Sequence, residues 1–294
     1  MSEGRDARVI ERIAGAVRSV PGVKLADIHV DPDHHRSVFT FLGSPQAVEA
    51  AALALAEAAL AAIDMRQQRG VHPRFGALDV LPFVPLRAIT MAGAVTLAHR
   101  VGKTLADRFA LPVYFYGEAA LKPARRRLPE ARRGQYEALE KNLGDPAFAP
   151  DAGPARFNPG SGAAAVGARG ILIAYNVWLA SDDLEAARAI ARALRESSGG
   201  LPGLQAIGLP LRSRARVQVA MNLLDFRRCS LPRVFDRVQG EATRLGVAVE
   251  RGELVGLAPR DAFEGRSPES VGLHEFTPEK LLETHLPDHQ ACPG

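Results

Sequence analysis

Residues 170–200 read GILIAYNVWLASDDLEAARAIARALRESSGG, and this stretch decides the fold. Ile171, Ile173, Tyr175 and Val177 alternate along one side, the period of a half-buried strand. Ser181 then stands where a helix N-cap belongs. Leu184, Ala187, Ile190, Ala191 and Leu194 recur at helical spacing until Gly199-Gly200 closes the run. Moving toward the C-terminus, the pattern predicts strands at 204–209 and 215–224, a helix at 231–245 and a strand at 247–257. Strand, helix, strand, strand, helix, strand is the order of the split βαβ, or ferredoxin-like, unit. Toward the N-terminus, a helix is predicted over 5–19, with Val9, Ile10, Ile13 and Val17 on one face and Pro21-Gly22 ending it. Strands follow at 23–30 and 36–42, then an Ala-rich helix from Pro45 to about Ile63, a strand at 77–84, a helix over 91–109 opened by Thr90, and a strand at 111–116. That is the same order without its first strand. The expected fold class is α/β (α+β), with two ferredoxin-like subdomains that share an architecture but no clear residue repeat. Between them, residues 117–169 hold five arginines from Arg125 to Arg133, the breaks Asp145-Pro146, Ala149-Pro150 and Gly153-Pro154, and the permissive run Asn158-Pro159-Gly160-Ser161-Gly162. No regular element is predicted there.

The composition bounds the function classes. With 294 residues, 47% hydrophobic and 24% charged, the chain can bury a sizeable core and is neither disordered nor fibrous. At 6% aromatic it offers no stacking platform for single-stranded nucleic acid. The net charge of +4 is uneven: residues 266–294 carry five acids and two bases, or −3, which leaves +7 on residues 1–265. A basic body suits an anionic ligand. Cys229 and Cys292 sit in no CxxC or CxxH pattern, so neither a zinc site nor a disulfide framework is expected. The start MSEGRDARVI has no signal-like apolar region, and the longest apolar stretch is broken by Glu49 and Glu57. The cytoplasm is the expected compartment, with no membrane partner.

Four places can carry chemistry. His72 lies between Gly70 and Pro73, on a turn after a long helix, where an imidazole can serve as general acid and base. A solvated turn histidine has the same spacing. The run Asp31-Pro32-Asp33-His34-His35-Arg36 could bind a metal together with His72, but it fits no ligand motif, and a solvated hairpin reads the same way. The segment Gly153–Gly162 can bring backbone N–H groups against a ligand, or it can be a linker. The cluster Arg125, Arg126, Arg127, Arg132 and Arg133 could take phosphate or RNA. Glu130 and Glu137 among them favour a solvated, ion-paired surface.

Several segments together resemble the formiminotransferase family. They are SEGR at 2–5, DHHRSVFTF at 33–41, IDMR at 63–66, HPRFGALDV at 72–80, PFVP at 82–85, VYFYGEAA at 113–120, RRGQYE at 132–137, PDAGP at 150–154, VGAR at 166–169 and VGL at 255–257. The resemblance implies two α/β subdomains with the ligand between them, at 1–168 and 169–265, followed by an acidic tail at 266–294. It implies transfer of the formimino group from N-formimino-L-glutamate to N5 of tetrahydrofolate, a step of histidine degradation. Tetrahydrofolate is then a cosubstrate, and neither a metal nor nucleic acid is required; a homodimer is allowed. The family's catalytic histidine falls on His72. Its folate segment falls on Gly153, Pro154, Ala155, Arg156, Phe157, Asn158, Pro159, Gly160, Ser161 and Gly162, and substrate contacts fall on His35, Arg36 and Asn222.

The chain departs from the family pattern at three positions near the site. Val71 stands where a Glu usually precedes the catalytic histidine, His35 where an Asn is usual, and His29 where the preceding strand usually has Asp, with Asp31 close by. These departures leave open an alternative: a divergent paralogue that binds folate with little or no turnover. The family also usually places a short apolar strand before SEGR. A further strand encoded upstream of Met1 is therefore expected.

Overall fold

The first helix starts where Asp6 offers its carboxylate to the N–H groups of Arg8 and Val9, at 2.8 and 3.3 Å. This helix, α1 (Ala7–Arg18), buries Ile13, Ala14 and Val17. In the computed structural model, which describes residues 1–87 and 89–286, α1 leads into a hairpin of β1 (Val23–Asp31) and β2 (Arg36–Gly43). The strands pair antiparallel, with a bulge between Leu25 and Asp27. Pro45 at the first turn and the Ser44 hydroxyl, which accepts from Ala47 N–H at 3.2 Å, start α2 (Pro45–Ala62). Ala51, Ala52, Leu55, Ala56 and Ala59 of α2 share a core with Ile13 and Val17. The small residues let the two helices approach closely.

The chain then builds a separate parallel sheet. It runs through β3 (Asp79–Phe83), α3 (Met91–Phe109), β4 (Val113–Gly117), two short helical turns α4 (Leu128–Ala131) and α5 (Leu139–Leu143), and β5 (Ala164–Ala168). Thr90 caps α3 as expected, accepting from Gly93 N–H at 3.2 Å. The sheet order is β3-β5-β4, with β5 parallel to both neighbours. The irregular stretch 117–169 therefore contains a central strand that the periodicity reading places nowhere. A buried Arg125–Asp151 ion pair at 2.7 Å fastens this stretch, and Asp151 also accepts Phe115 N–H at 2.8 Å. Met1 and Ser2 lie between the two sheets. Met1 exchanges backbone bonds with Ser37, while Ser2 donates to Ala77 O and Gly76 O.

The second unit, from Ile171 onward, comprises β6 (Ile173–Leu179), α6 (Leu184–Leu194), β7 (Leu204–Leu211), β8 (Arg216–Leu223), α7 (Leu231–Arg244) and β9 (Val249–Val255). Its antiparallel sheet has the order β7-β8-β6-β9, which is the ferredoxin-like arrangement read from the sequence. One cap differs. Asp183, not Ser181, holds the start of α6 by accepting from Glu185 and Ala186 N–H, while Ser181 accepts from Asp183 itself. The segment from Arg266 was expected as an acidic tail. Up to residue 286 it is instead packed on this unit. Val271 and Leu273 join the core, Gly252 N–H donates to Gly272 O at 2.8 Å, and Ala258 pairs with Lys280 and Leu282. The rest of that expected tail, residues 287–294 with Cys292, lies outside the described residues.

Candidate active site

The hairpin turn between β1 and β2 is shaped by its own polar side chains. Asp31 accepts the backbone N–H of His34 at 2.8 Å and faces the His34 ring at 3.1 Å. His35 adopts a left-handed backbone (φ 51°) that turns its ring away. One His35 nitrogen sits against the Arg69 backbone, and Nε2 lies 3.3 Å from Glu3. Glu3 in turn accepts from Gly4, Arg5 and Asp6 N–H. His35 therefore ties the turn to the chain start and to the loop after α2. The hairpin's imidazoles do not converge with its carboxylates as a ligand set, and among the described residues no group of three His, Cys, Asp or Glu is disposed to hold a metal.

The loop after α2 lies directly on this turn. Gly70 makes that approach possible, because a Cβ there would stand 2.1 Å from the His34 carbonyl oxygen. Val71 N–H donates to Asp33 O at 3.3 Å. His72 is thereby brought beside Arg36 and His34. Its ring centroid is 5.4 Å from that of His34, and Arg36 Nη1 is 2.7 Å from its Nε2. Nδ1 lies 2.8 Å from the Pro73 carbonyl oxygen. A carbonyl can only accept, so Nδ1 carries the proton and Nε2 the lone pair. Burial, followed by the Arg36 guanidinium, holds the His72 pKa well below its ordinary value, and the Pro73 hydrogen bond opposes this only in part. His72 is a neutral imidazole at pH 7.

The chain beyond His72 positions the glycine-rich segment. Arg74 donates to Met65 O and to the Gln68 side chain and carbonyl, pairs with Glu137 at 2.9 Å, and lies 4.7 Å from the centre of the Tyr136 ring. Tyr136 donates its hydroxyl to Pro159 O at 2.6 Å and packs on Phe157. Asn158 caps its own turn through Gly160 and Ser161 N–H. Met65 N–H reaches Gly160 O, and Ala77 N–H reaches Ser161 O, both at 2.9 Å. At Gly162 (φ 66°) a Cβ would stand 2.5 Å from Phe75 O. Residues 158–162 are thus a clamped turn on the same loop as His72. Gly153, Pro154, Ala155 and Arg156 are exposed.

Asp79 escaped the sequence reading, and Arg132 was read there only as one of a cluster. Asp79 is buried in a left-handed conformation (φ 59°), accepts Phe75 N–H at 2.8 Å and faces Arg132 at 3.3 Å. Arg132 belongs to the arginine cluster, whose members go separate ways. Arg126 and Arg133 pair with Glu118 and Glu130 at the surface, as expected, while Arg125 and Arg132 turn inward. Only the partner across the fold distinguishes them. Asn222 lies in the second unit, half-buried on β8 opposite Ala174 and Gln205. On the same face of that sheet, Glu253 accepts from Asn176 and Trp178, and Trp178 lies between Arg214 and Arg251. No helix of the described residues is long and apolar enough to cross a membrane.

Fold and site together define an α/β protein in which a neutral imidazole, His72, lies beside Arg36 and His34. Residues 1–169 match the family model for the formiminotransferase domain, N-terminal subdomain, and residues 174–266 match that for the formiminotransferase domain. The chain is 39% identical over 286 residues to a glutamate formimidoyltransferase of Streptococcus pyogenes, covering 97% of this chain and 96% of that protein. It is 40% identical over 287 residues to one of Thermoplasma acidophilum, covering 97% and 94%. It is also 44% identical over 268 residues to a formimidoyltransferase-cyclodeaminase of Sus scrofa, covering 89% of this chain and 49% of that longer protein. The chain belongs to the formiminotransferase family.

Proposed function

We propose that the protein is a glutamate formimidoyltransferase, moving the formimino group of N-formimino-L-glutamate to N5 of tetrahydrofolate, with His72 as its proton-transfer residue. One observation carries this reading: a neutral His72, held as the Nδ1–H tautomer, stands in a chain that matches two glutamate formimidoyltransferases nearly end to end. N5 attacks the formimino carbon, and the N5–C bond forms. N5 sheds a proton, which His72 Nε2 takes up. The carbon–nitrogen bond to glutamate then breaks, and Nε2 returns the proton to the departing nitrogen. A general acid–base of this kind contributes about 10²–10⁴-fold. The turn at residues 158–162 supports a role for Gly153–Gly162 in holding folate, since its backbone is fixed to the loop that carries His72. Arg36 is a donor contact. His35, facing Glu3, supports the hairpin rather than the substrate. No step calls for a metal, and the reaction belongs to the cytoplasm.

The test is to incubate purified protein with both substrates and measure glutamate and 5-formiminotetrahydrofolate. The two should appear in equal amounts. Folate binding without glutamate release would instead establish the non-catalytic paralogue.

A further inference from the structure

Arg36 opens β2, and its side chain is half-buried. Because Nδ1 of His72 is committed to Pro73, the lone pair of Nε2 is the ring's one basic site. Arg36 Nη1 lies 2.7 Å from Nε2 and 2.9 Å from Nδ1, nearly equidistant from the two, so the guanidinium sits against the ring rather than on the Nε2 lone pair. From there its charge opposes protonation of Nε2.

Among the described residues no carboxylate lies within ion-pair distance of Arg36. The two acids that act on it from further away are already engaged. Asp79 holds Arg132 and Phe75 N–H, and Asp31 holds His34. A second cation, Arg132, also bears on Arg36. A guanidinium desolvated without a counter-charge is costly, and an arriving carboxylate gains strong charge-assisted bonds there.

We propose that Arg36 is the receptor for the α-carboxylate of the formimino donor, and that seating this carboxylate offsets the guanidinium charge held against the ring and lets His72 take the proton. The inference rests on the formimino-transfer reading of the site. Both substrates carry glutamyl carboxylates, and reach distinguishes them. The donor's α-carboxylate is borne by the carbon bonded to the leaving nitrogen, which His72 must touch. The carboxylates of folate lie beyond its aminobenzoyl group, remote from N5. A guanidinium in contact with His72 therefore meets the donor's carboxylate. The base is then at full strength only when the donor is present. Proton transfer follows in order: the carboxylate–guanidinium pair forms, the charge against the ring is offset, and the N5 proton passes to Nε2.

The groups facing His72 are Arg36 from β2, His34 from the hairpin turn and Arg132 from the segment after β4. Asp31 and Asp79 stand behind them on His34 and Arg132. Pairing Arg36 with a carboxylate removes one charge that disfavours the imidazolium, and a neighbouring charge is worth about 1–3 pH units.

The experiment is an NMR titration of the His72 ring against pH, assigned by its loss in His72→Asn, with and without L-glutamate, the product that keeps both donor carboxylates. In the wild type, glutamate should move the His72 midpoint upward by about 1–3 units. In Arg36→Gln the midpoint should start higher, and glutamate should move it no further. Arg36→Lys, which retains a cation, should restore part of the response and covers a folding failure of Arg36→Gln. Tetrahydrofolate alone should leave the wild-type midpoint in place; an equal shift with folate would overturn the assignment to the donor. An unmoved wild-type midpoint at every glutamate concentration, or an undiminished response in both variants, would overturn the proposal. Intact formimino transfer with an unresponsive His72 defeats this inference alone. An Arg36-dependent response without transfer defeats only the reading of the activity.

Discussion

His72 holds Nδ1 on the Pro73 carbonyl, and burial and the Arg36 guanidinium against its ring disfavour the imidazolium, so its neutral form is built into the fold. The consequence for stability has a definite sign. A histidine whose folded pKa is depressed binds fewer protons folded than unfolded, so stability rises with pH in between. Its contribution is complete above the ordinary value of 6.5 and is lost as pH falls from there through the depressed folded value. Urea midpoints of the wild type should therefore fall on acidification below about pH 6.5, and those of His72→Asn should fall less steeply. Parallel curves for the two proteins would show that His72 is not the buried neutral group. His35 teaches the complementary lesson. Its neighbours in sequence suggest a shared site with His72, but its left-handed backbone sends it to Glu3, and His34 takes the place beside His72. Spacing cannot foresee a single inverted φ in a turn.

The turn at 158–162 is the element on which the proposed folate contact rests. Tyr136 holds it through a hydrogen bond to Pro159 O, and among the described residues its hydroxyl makes no other. Tyr136→Phe should loosen the turn by a typical net hydrogen bond of about 0.5–1.5 kcal/mol, which corresponds to a rise of about 2–10-fold in KM for tetrahydrofolate. Steady-state kinetics should show kcat and KM for the donor nearly unchanged; a fall in kcat alone would mean that the turn does not hold folate. The elements legible in the sequence were those with a long period: α1, α2, α3, α7 and the β1–β2 hairpin. The ferredoxin-like order of the second unit was legible for the same reason. β5 was not. Ala164-Ala165-Val166-Gly167-Ala168 has one β-branched residue, and its strand conformation comes from two parallel neighbours rather than from its own side chains. Arg74, Asp79, Tyr136 and the inward turn of Arg132 were hidden similarly. Each lies in an irregular stretch or at the edge of a strand, and each acquires meaning only from a partner distant in sequence.

At the scale of the whole molecule, two units each own a core. The second depends on residues that composition alone marks as an acidic tail. Val271 and Leu273 are buried there, and Gly272 pairs with the outer strand β9. Ending the chain at Gly265 should remove two buried apolar side chains, whose burial is worth about 1.5–3 kcal/mol each, a large share of a typical 5–15 kcal/mol. Denaturant melts should show the loss, and an unchanged midpoint would return the segment to a dispensable tail. The account as a whole stands on His72 as the group that moves the proton, and the pH dependence of kcat/KM for glutamate release tests this most directly. For the wild type, kcat/KM should stay level through neutrality and fall only well below pH 6.5, because the free enzyme's base is depressed. His72→Asn should lie about 10²–10⁴-fold lower and lack that acid limb. A variant that keeps near-normal turnover, or the same acid limb, would contradict the account.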